Sequence, residues 1–295
     1  ILPITPQLIA RELNYILDHS EARVVITSEE LTAKVVEAAS DLTHLKHILV
    51  TGNCDNAIAT DIRLEIEAAT PIGTLHKSDS NEMALLVYTS GTTGEPKGVM
   101  LSHSNVLANA EAGQDLFLNK TQLRFLSILP LAHVYGVLTM NLGNLVGTIS
   151  ILHPHFDPRR VFEDIEKFQI QRISVVPTMM AYMAAFPDRE SYDLSSLEQV
   201  NSGGAPLSEE LRLEFEEKFN CTATEGWGQS ESTCVISSYR DQEPFRPGSA
   251  GRVISNYEIC TQDQNNDVLP VGSTGELCVK GPHIMKGYWK NEEET

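Results

Sequence analysis

The chain has 295 residues, of which 41% are apolar and 21% are charged, a composition typical of a soluble globular protein with one large domain or two of ordinary size. Its 40 acidic and 22 basic residues give a formal net charge of −18, which argues against nucleic acid as the main partner because a phosphate backbone needs a basic surface. No apolar run reaches the roughly 18 residues that cross a bilayer, so we expect no transmembrane segment.

The cysteine pattern indicates a reducing compartment. The five cysteines are odd in number and show no C-x-x-C pairing, so we expect reduced thiols in a cytoplasmic protein and no structural zinc site. Because the chain does not begin with Met, the sequence does not decide whether targeting signals precede Ile1. The sequence also leaves oligomeric state and peripheral association with a membrane open. The cysteines are Cys54, Cys221, Cys234, Cys260 and Cys278.

The N-terminal part of the chain is predicted to alternate between helix and strand, in the manner of α/β proteins. Apolar residues at helical spacing indicate helices over residues 7–19 and 29–39, and short β-forming runs indicate strands over 23–27 and 48–51. Residues 53–80 are polar and irregular, so we expect them to cross the surface toward the next strand.

The most informative stretch, residues 84–105, reads ALLVYTSGTTGEPKGVMLSHSN and combines a predicted buried strand with a polar loop. Glycines let backbone N–H groups face an anion, hydroxyls add donors and Lys97 adds a positive charge, so the loop is predicted to hold phosphate groups. A glycine-rich surface turn is the alternative interpretation. Apart from the lysine, the predicted contacts are Thr89, Ser90, Gly91, Thr92, Thr93 and Gly94.

This loop differs from a conventional nucleotide-binding P-loop. Gly98 follows Lys97 at the place where the G-x-x-x-x-G-K-[ST] pattern has a hydroxyl residue that binds magnesium. A conventional P-loop NTPase is therefore disfavoured, and the phosphate chemistry must be organised differently. After the loop, Ser102 or Ser104 could cap a helix.

Helices and strands continue to alternate downstream, which favours mostly parallel sheets. From residue 247 the chain contains more glycine and short alternating segments that predict antiparallel strands, so we place a boundary near Phe245 between an α/β region (1–245) and a β-rich region (246–295). The predicted helices are 106–114, 138–145, 157–168, 177–183 and 208–219, and the predicted strands are 125–129, 148–152, 172–176 and the strand-like turn 199–204.

A second motif, TEGWGQSEST at residues 224–233, combines groups suited to a nucleotide. Trp227 offers a flat face for a purine, Gly228 allows close approach, Ser230 offers a hydroxyl, and Glu231 offers an oxygen ligand for Mg²⁺. Taken alone, the stretch would be a buried tryptophan beside a surface carboxylate.

Two shorter stretches complete the set of motifs. LPLAHVYG at residues 129–136 presents His133 and Tyr135, although a single histidine beside apolar residues is usually part of the core. SGGAP at residues 202–206 exposes backbone at paired glycines, and as an isolated turn it would mean little. Its candidate binding residues are Gly203, Gly204, Ala205 and Pro206.

Together and in this order, the stretches resemble the signatures of the adenylate-forming (AMP-binding) superfamily of acyl-CoA synthetases, luciferases and peptide-synthetase adenylation domains. The resemblance implies that residues 89–97 hold the β- and γ-phosphates of ATP, Glu231 holds Mg²⁺ and residues 203–206 with Trp227 hold adenine. His133 and Tyr135 are the implied substrate-binding residues, with His133 lining the carboxylate pocket. The superfamily usually has Tyr-Gly-x-Thr-Glu where this chain has Trp227 and Ser230. Both substitutions preserve stacking and hydroxyl chemistry.

The resemblance also implies a layered αβαβα fold of mostly parallel sheets, with the start of a smaller antiparallel β subdomain. The LPLAHVYG, PTMMAYM and SGGAPL segments most resemble medium- or long-chain fatty acyl-CoA synthetases, which activate a fatty acid with ATP and transfer it to coenzyme A. Aryl-CoA ligases, peptide-synthetase adenylation domains and a nucleotide-binding fragment without turnover are the alternatives. Relative to the family, the chain is expected to be truncated at both ends, because it lacks the family's first strands and helices and stops before the T-G-D ribose motif, the hinge and the C-terminal domain with its lysine.

Overall fold

A computed structural model describes residues 1–89, 95–116, 122–240 and 243–295 as a mixed α/β structure. The helices are α1 (Ala10–His19), α2 (Thr32–Ala38), α3 (Ile62–Ala68), α4 (His103–Gly113), α5 (Val134–Val146), α6 (Pro158–Phe168), α7 (Pro177–Ala184) and α8 (Glu209–Phe219). The strands are β1 (Val24–Ser28), β2 (His47–Thr51), β3 (Thr60–Asp61), β4 (Met83–Thr89), β5 (Lys97–Ser102), β6 (Arg124–Ser127), β7 (Ile149–Leu152), β8 (Arg172–Val175), β9 (Gln199–Ser202), β10 (Thr222–Gly228), β11 (Val235–Ser238), β12 (Arg252–Val253), β13 (Glu258–Gln262) and β14 (Glu276–Lys280).

A seven-stranded sheet in the order β12-β11-β10-β9-β8-β6-β7 carries the candidate site. Its strands from β10 to β7 pair in parallel, and β11 and β12 are antiparallel. A smaller parallel sheet has the order β1-β2-β3, while β4-β5 and β13-β14 are antiparallel pairs. The predicted α/β class, with parallel sheets followed by antiparallel strands, is confirmed.

The main core lies on one face of the large sheet. Along β8 and β9 the side chains alternate, so that Ile173, Val175 and Val200 point to the same face and are buried there. They pack with Phe162 of α6 and Phe215 of α8, neither of which has any exposed surface. Burying each side chain of this size contributes about 1.5–3 kcal/mol. The opposite face of the same strands is polar, and it faces the candidate site.

Residues 53–80 are less irregular than the sequence predicts, because β3 and α3 lie within them. The Asp61 side chain caps α3 by accepting a hydrogen bond from the backbone N–H of Arg63 at 2.9 Å. None of the residues of α3 is buried, and Leu64 and Ile66 are both more than half exposed. Without a buried face, α3 has little of the apolar periodicity by which a helix is recognised in a sequence.

The polar loop is also shorter than predicted at its C-terminal end. Lys97 begins β5, which pairs with β4 so that Thr89 lies opposite Lys97. After this hairpin, the hydroxyl of Ser102 accepts a hydrogen bond from the backbone N–H of Asn105 at 3.1 Å and caps α4. Of the two predicted capping residues, Ser102 is the one used.

The division at residue 245 stays a prediction. β12 joins the edge of the seven-stranded sheet, whereas β13 and β14 form a separate hairpin. None of the described helices is long and apolar enough to cross a membrane.

A buried histidine near the C-terminus predicts loss of stability in acid. His283 has no exposed surface and stacks on the Tyr257 ring with centroids 4.0 Å apart. Burial lowers the pKa of His283 to about 4, whereas an unfolded histidine titrates near pH 6.5. As pH falls from about 6.5 to 4, the unfolded state gains a proton that the folded state does not bind, so folding stability falls by on the order of 2 kcal/mol.

Urea unfolding of the wild type and of His283→Phe at pH 7 and pH 4.5 measures this effect. Phenylalanine keeps the ring stacking but cannot take up a proton, so the variant should lose less unfolding free energy between the two pH values. His76→Asn is the control, because His76 is exposed and should leave the pH dependence as it is in the wild type. Equal losses in the wild type and His283→Phe would contradict the prediction.

Candidate active site

A cavity of about 260 Å³ lies between α5 and the polar face of the seven-stranded sheet. Leu138, Leu142 and Val146 form an apolar wall on α5. Polar side chains of the strands form the opposite wall. The predicted site residues that line this cavity are His133, Tyr135, Gly203, Gly204, Trp227, Gly228 and Ser230.

His133 lies at the start of α5, and its imidazole caps that helix. Its Nδ1 accepts a hydrogen bond from the backbone N–H of Tyr135 at 3.1 Å, so Nδ1 carries no proton. Desolvation lowers the pKa of His133 below the usual histidine value, which favours the neutral ring at neutral pH. The helix was predicted to begin at residue 138, and it begins four residues earlier because of this cap.

Tyr135 connects two of the predicted motifs. Its hydroxyl donates to Asn201 Oδ1 at 2.8 Å, and its ring packs on Gly203, where a Cβ would lie 2.9 Å from Tyr135 Cε1. The glycine of SGGAP is therefore needed for close approach of an aromatic ring of the same chain. Burial raises the pKa of Tyr135, so its hydroxyl stays protonated and remains a donor.

The other residues of SGGAP differ in their relation to the cavity, because Gly204 lines it and Ala205 and Pro206 do not. Gly204 has a φ of +79°, a conformation that favours glycine, and the following residues Ala205 and Pro206 are exposed and do not line the cavity wall. Their predicted contact with adenine stays a prediction.

The TEGWGQSEST motif forms the rim of the cavity. Trp227 is 38% exposed near the end of β10, and Ser230 is buried in the short 3-10 turn that follows. Gly228 is close to the neighbouring strand, since a Cβ there would lie 1.6 Å from the carbonyl oxygen of Cys234. Backbone packing thus requires a glycine at this position, whatever ligand binds beside it.

Glu231 and Lys97 come together through a residue that the sequence analysis did not identify. The Tyr288 hydroxyl donates to Glu231 Oε1 at 2.7 Å, and Lys97 Nζ lies 5.3 Å from the centre of the Tyr288 ring. Lys97 Nζ also donates to Glu294 Oε2 at 2.5 Å. Burial beside Glu231 raises the pKa of Tyr288 to about 12, so the tyrosine remains a hydrogen-bond donor.

Five predicted phosphate contacts cannot be placed relative to this group. Ser90, Gly91, Thr92, Thr93 and Gly94 lie outside the described residues, and their role stays a prediction. The two ends of the segment are described. Thr89 and Lys97, which flank the segment, are opposite partners in the β4-β5 pair, and Lys97 lies against the Tyr288 ring.

The residues around Glu231 fit one way of binding Mg²⁺. No group of three or more His, Cys, Asp or Glu side chains within residues 1–89, 95–116, 122–240 and 243–295 could hold a metal ion alone. Glu231 offers one half-buried carboxylate with Oε1 held by Tyr288. Because Mg²⁺ commonly takes one or two carboxylates together with substrate phosphates, a single oriented carboxylate beside a lysine suits a Mg²⁺–phosphate complex.

The family follows from comparison with known proteins, which agrees with the motifs above. A family model described as AMP-binding enzyme matches residues 1–289. The chain belongs to the AMP-binding enzyme family. The resemblance found in the sequence is therefore confirmed, and the described residues form part of the family's domain.

Individual relatives include several kinds of acid–CoA ligase. The chain is 30% identical to a long-chain-fatty-acid–CoA ligase of Bacillus subtilis, over 100% of this chain and 58% of that protein. It is 34% identical to a 4-coumarate–CoA ligase of Humulus lupulus, over 78% of this chain and 43% of that protein. The chain spans little more than half the length of the curated relatives that it matches from end to end.

Solved structures confirm the fold. The N-terminal domain of FACL13 from Mycobacterium tuberculosis, with an inhibitor bound, superposes with a TM-score of 0.88 at 24% identity. The match covers 99% of this chain and 72% of that domain. The expected AMP-binding fold is present, and this chain corresponds to part of the N-terminal domain.

Proposed function

We propose that the protein containing this chain activates a carboxylic acid with ATP and transfers the acyl group to coenzyme A. The observation that carries the proposal is the convergence of Lys97, Tyr288 and Glu231 next to Ser230, which lines the cavity. In this proposal Lys97 contacts phosphate and Glu231 holds the metal; both contact Tyr288, and Glu231 is one residue along the chain from the cavity wall. Membership of the AMP-binding family supports the same reaction.

In the proposed first step, a carboxylate oxygen attacks the α-phosphorus of ATP and the bond to the β-phosphate oxygen breaks. Pyrophosphate leaves and acyl-adenylate remains. In the second step, the thiol of coenzyme A attacks the acyl carbonyl carbon, AMP leaves, and the thiol proton passes to solvent. Neither step needs a nucleophile from the protein, so catalysis rests on positioning and on stabilisation of charge.

The chain's own residues have distinct roles in this proposal. Lys97 binds the β- and γ-phosphates together with residues 89–94. Glu231, whose carboxylate Tyr288 orients, would hold Mg²⁺. Bound Mg²⁺ would neutralise charge on the phosphates and on the leaving pyrophosphate. Trp227 and residues 203–206 hold adenine, and His133 borders the acid at the mouth of the cavity.

The Lys97–Glu294 pair implies an exchange of partners when ATP binds. Lys97 Nζ now donates to the carboxylate of Glu294. A phosphate oxygen must either replace this carboxylate or bind Lys97 Nζ together with it. Lys97 is only 15% exposed at its side chain, so its charge is poorly solvated without a partner. Each charge-assisted hydrogen bond of this kind contributes about 1.5–3 kcal/mol, so the exchange keeps the lysine paired before and after binding.

A fatty acid is the substrate that the sequence motifs favour, and the relationship to a long-chain-fatty-acid–CoA ligase supports it. An aromatic acid is the second candidate, supported by the relationship to a 4-coumarate–CoA ligase. The five free cysteines support a cytoplasmic location.

Carboxylate-dependent exchange of labelled pyrophosphate into ATP tests the proposal. The full polypeptide that contains residues 1–295 should catalyse exchange only when a suitable acid is present, and addition of coenzyme A should release the acyl thioester. Lys97→Ala should reduce exchange, while Lys77→Ala, at an exposed position outside the site, should not. ATP binding without exchange for any acid would show a nucleotide-binding protein without turnover.

A further inference from the structure

The wall of the cavity formed by the sheet is polar and contains a buried cation. Arg172 and Ser174 of β8, with Gln199 and Asn201 of β9, all line the cavity. The pairing register places Arg172 beside Gln199 and Ser174 beside Asn201, so these four side chains form two adjacent cross-strand pairs on one face. Arg172 is only 5% exposed.

The two pairs lie at different distances from the reacting end of the cavity. The backbone N–H of Gly203 donates to the carbonyl oxygen of Val175 at 3.1 Å, so the C-terminal end of β8 lies at the SGGAP turn. Arg172 lies three residues before Val175, roughly 10 Å away along an extended strand. The pair of Arg172 and Gln199 is therefore the distal one.

The occupant of this cavity must suit both of its walls. An apolar body packs well against Leu138, Leu142 and Val146 of α5. On the other side, a plain alkyl chain would place methylene groups, which accept no hydrogen bond, against the charged Arg172 and the polar Gln199, and such a mismatch between a ligand and polar groups is costly. A ligand with an acceptor oxygen at its distal end avoids this cost.

We propose that the cavity selects carboxylic acids that carry a second oxygen function, as a carboxylate or hydroxyl, roughly 10 Å from the carboxylate that is activated. This inference rests on the proposed function. Arg172 already takes part in an interaction within the chain. The inference therefore does not require an unpaired guanidinium, and it depends on the position of Arg172 in the cavity wall and on its positive charge. A guanidinium has five N–H donors and can bind more than one acceptor at once.

Pyrophosphate exchange with three acids of equal chain length tests the inference. The acids are a plain monocarboxylate, its ω-hydroxy derivative and its ω-carboxy derivative, with backbones of eight to ten carbons. The wild type should prefer at least one oxygenated acid over the plain acid by about tenfold or more in kcat/KM. Arg172→Met, which keeps an unbranched side chain but removes the charge, should abolish or reverse this preference.

Two further variants separate specificity from general damage. Arg159→Met removes an exposed arginine on α6 and should leave the preference unchanged. Gln199→Leu serves if Arg172→Met does not fold, and it should weaken the preference in the same direction. Binding of acyl-sulfamoyl-adenosine analogues of the same acids, followed by calorimetry, gives a readout that does not depend on turnover.

The outcomes distinguish this inference from the proposed function. Preference for the plain acid in the wild type, or equal effects of Arg172→Met on all three acids, would overturn the inference while acid activation stands. If no acid in a wider panel supports pyrophosphate exchange, both the proposed function and the inference are contradicted. A preference for the oxygenated acids that changes in Arg172→Met and Gln199→Leu but not in Arg159→Met supports the inference and the proposed function.

Discussion

Glu231→Gln is expected to abolish most Mg²⁺-dependent adenylation in the full polypeptide while leaving the fold intact. Glutamine keeps the shape of the side chain, and its amide oxygen can still accept the hydrogen bond from Tyr288 that the structure shows at 2.7 Å. The negative charge that holds a divalent ion is lost. We expect the exchange rate at moderate Mg²⁺ to fall by about 100-fold or more, as for the loss of one strong charge-stabilising group.

Two companion variants sharpen this prediction. Tyr288→Phe leaves the carboxylate but removes the group that orients it, and such supporting residues typically affect metal affinity by about 10–100-fold. Its defect should therefore be largely restored by higher Mg²⁺, whereas that of Glu231→Gln should not. Glu210→Gln, an exposed glutamate at the start of α8, is the control and should behave as the wild type. Wild-type exchange in Glu231→Gln would contradict the assignment of the metal ligand.

The parts of the fold that the sequence predicts are those with a local signal. β8 has a compact run of β-forming residues, and α6 has an aspartate cap, Asp157, and a proline at its first position. α3 was missed because none of its residues is buried, and β5 was missed because its first residue, Lys97, reads as part of a polar loop. A helix or strand without an apolar pattern of its own is identified only by what it pairs with.

The candidate site shows the same limit more clearly. The sequence singles out Lys97 and Glu231 by motif, but Tyr288 is 57 positions from Glu231 and no local pattern connects them. Its place depends on the path of residues 281–295, which the sequence assigns only to the predicted β-rich region of residues 246–295. Arg172 could have been found earlier, because its alternation with Ile173 along β8 places it on the face opposite the core.

Gly228→Ala is expected to be the most damaging single-methyl change among the described glycines of the site. A Cβ at this position would lie 1.6 Å from the carbonyl oxygen, and 2.6 Å from the carbonyl carbon, of Cys234. Both atoms belong to the backbone, so no side-chain rotation can relieve the overlap, and β10 and β11 would have to separate. The register of these strands already shifts between Trp227 and Gly228.

Separating β10 from β11 affects stability and the site together. The pair carries Trp227 on one strand and buried Val235 and Ile236 on the other. We expect a loss of more than about 4 kcal/mol of unfolding free energy, which is the range of severe backbone conflicts, or failure to fold. Gly73→Ala adds the same methyl where no atom lies within 4 Å, and it should change stability by less than about 0.5 kcal/mol.

Urea unfolding followed by circular dichroism compares the two variants directly on the chain of residues 1–295. A Gly228→Ala protein with wild-type stability would mean that β10 and β11 do not approach as closely as the structure shows. The position of Trp227 at the rim of the cavity would then be wrong as well, since the pairing of β10 with β11 sets it. Loss of stability in Gly228→Ala but not in Gly73→Ala would instead show that this glycine is required by strand packing, before any nucleotide binds.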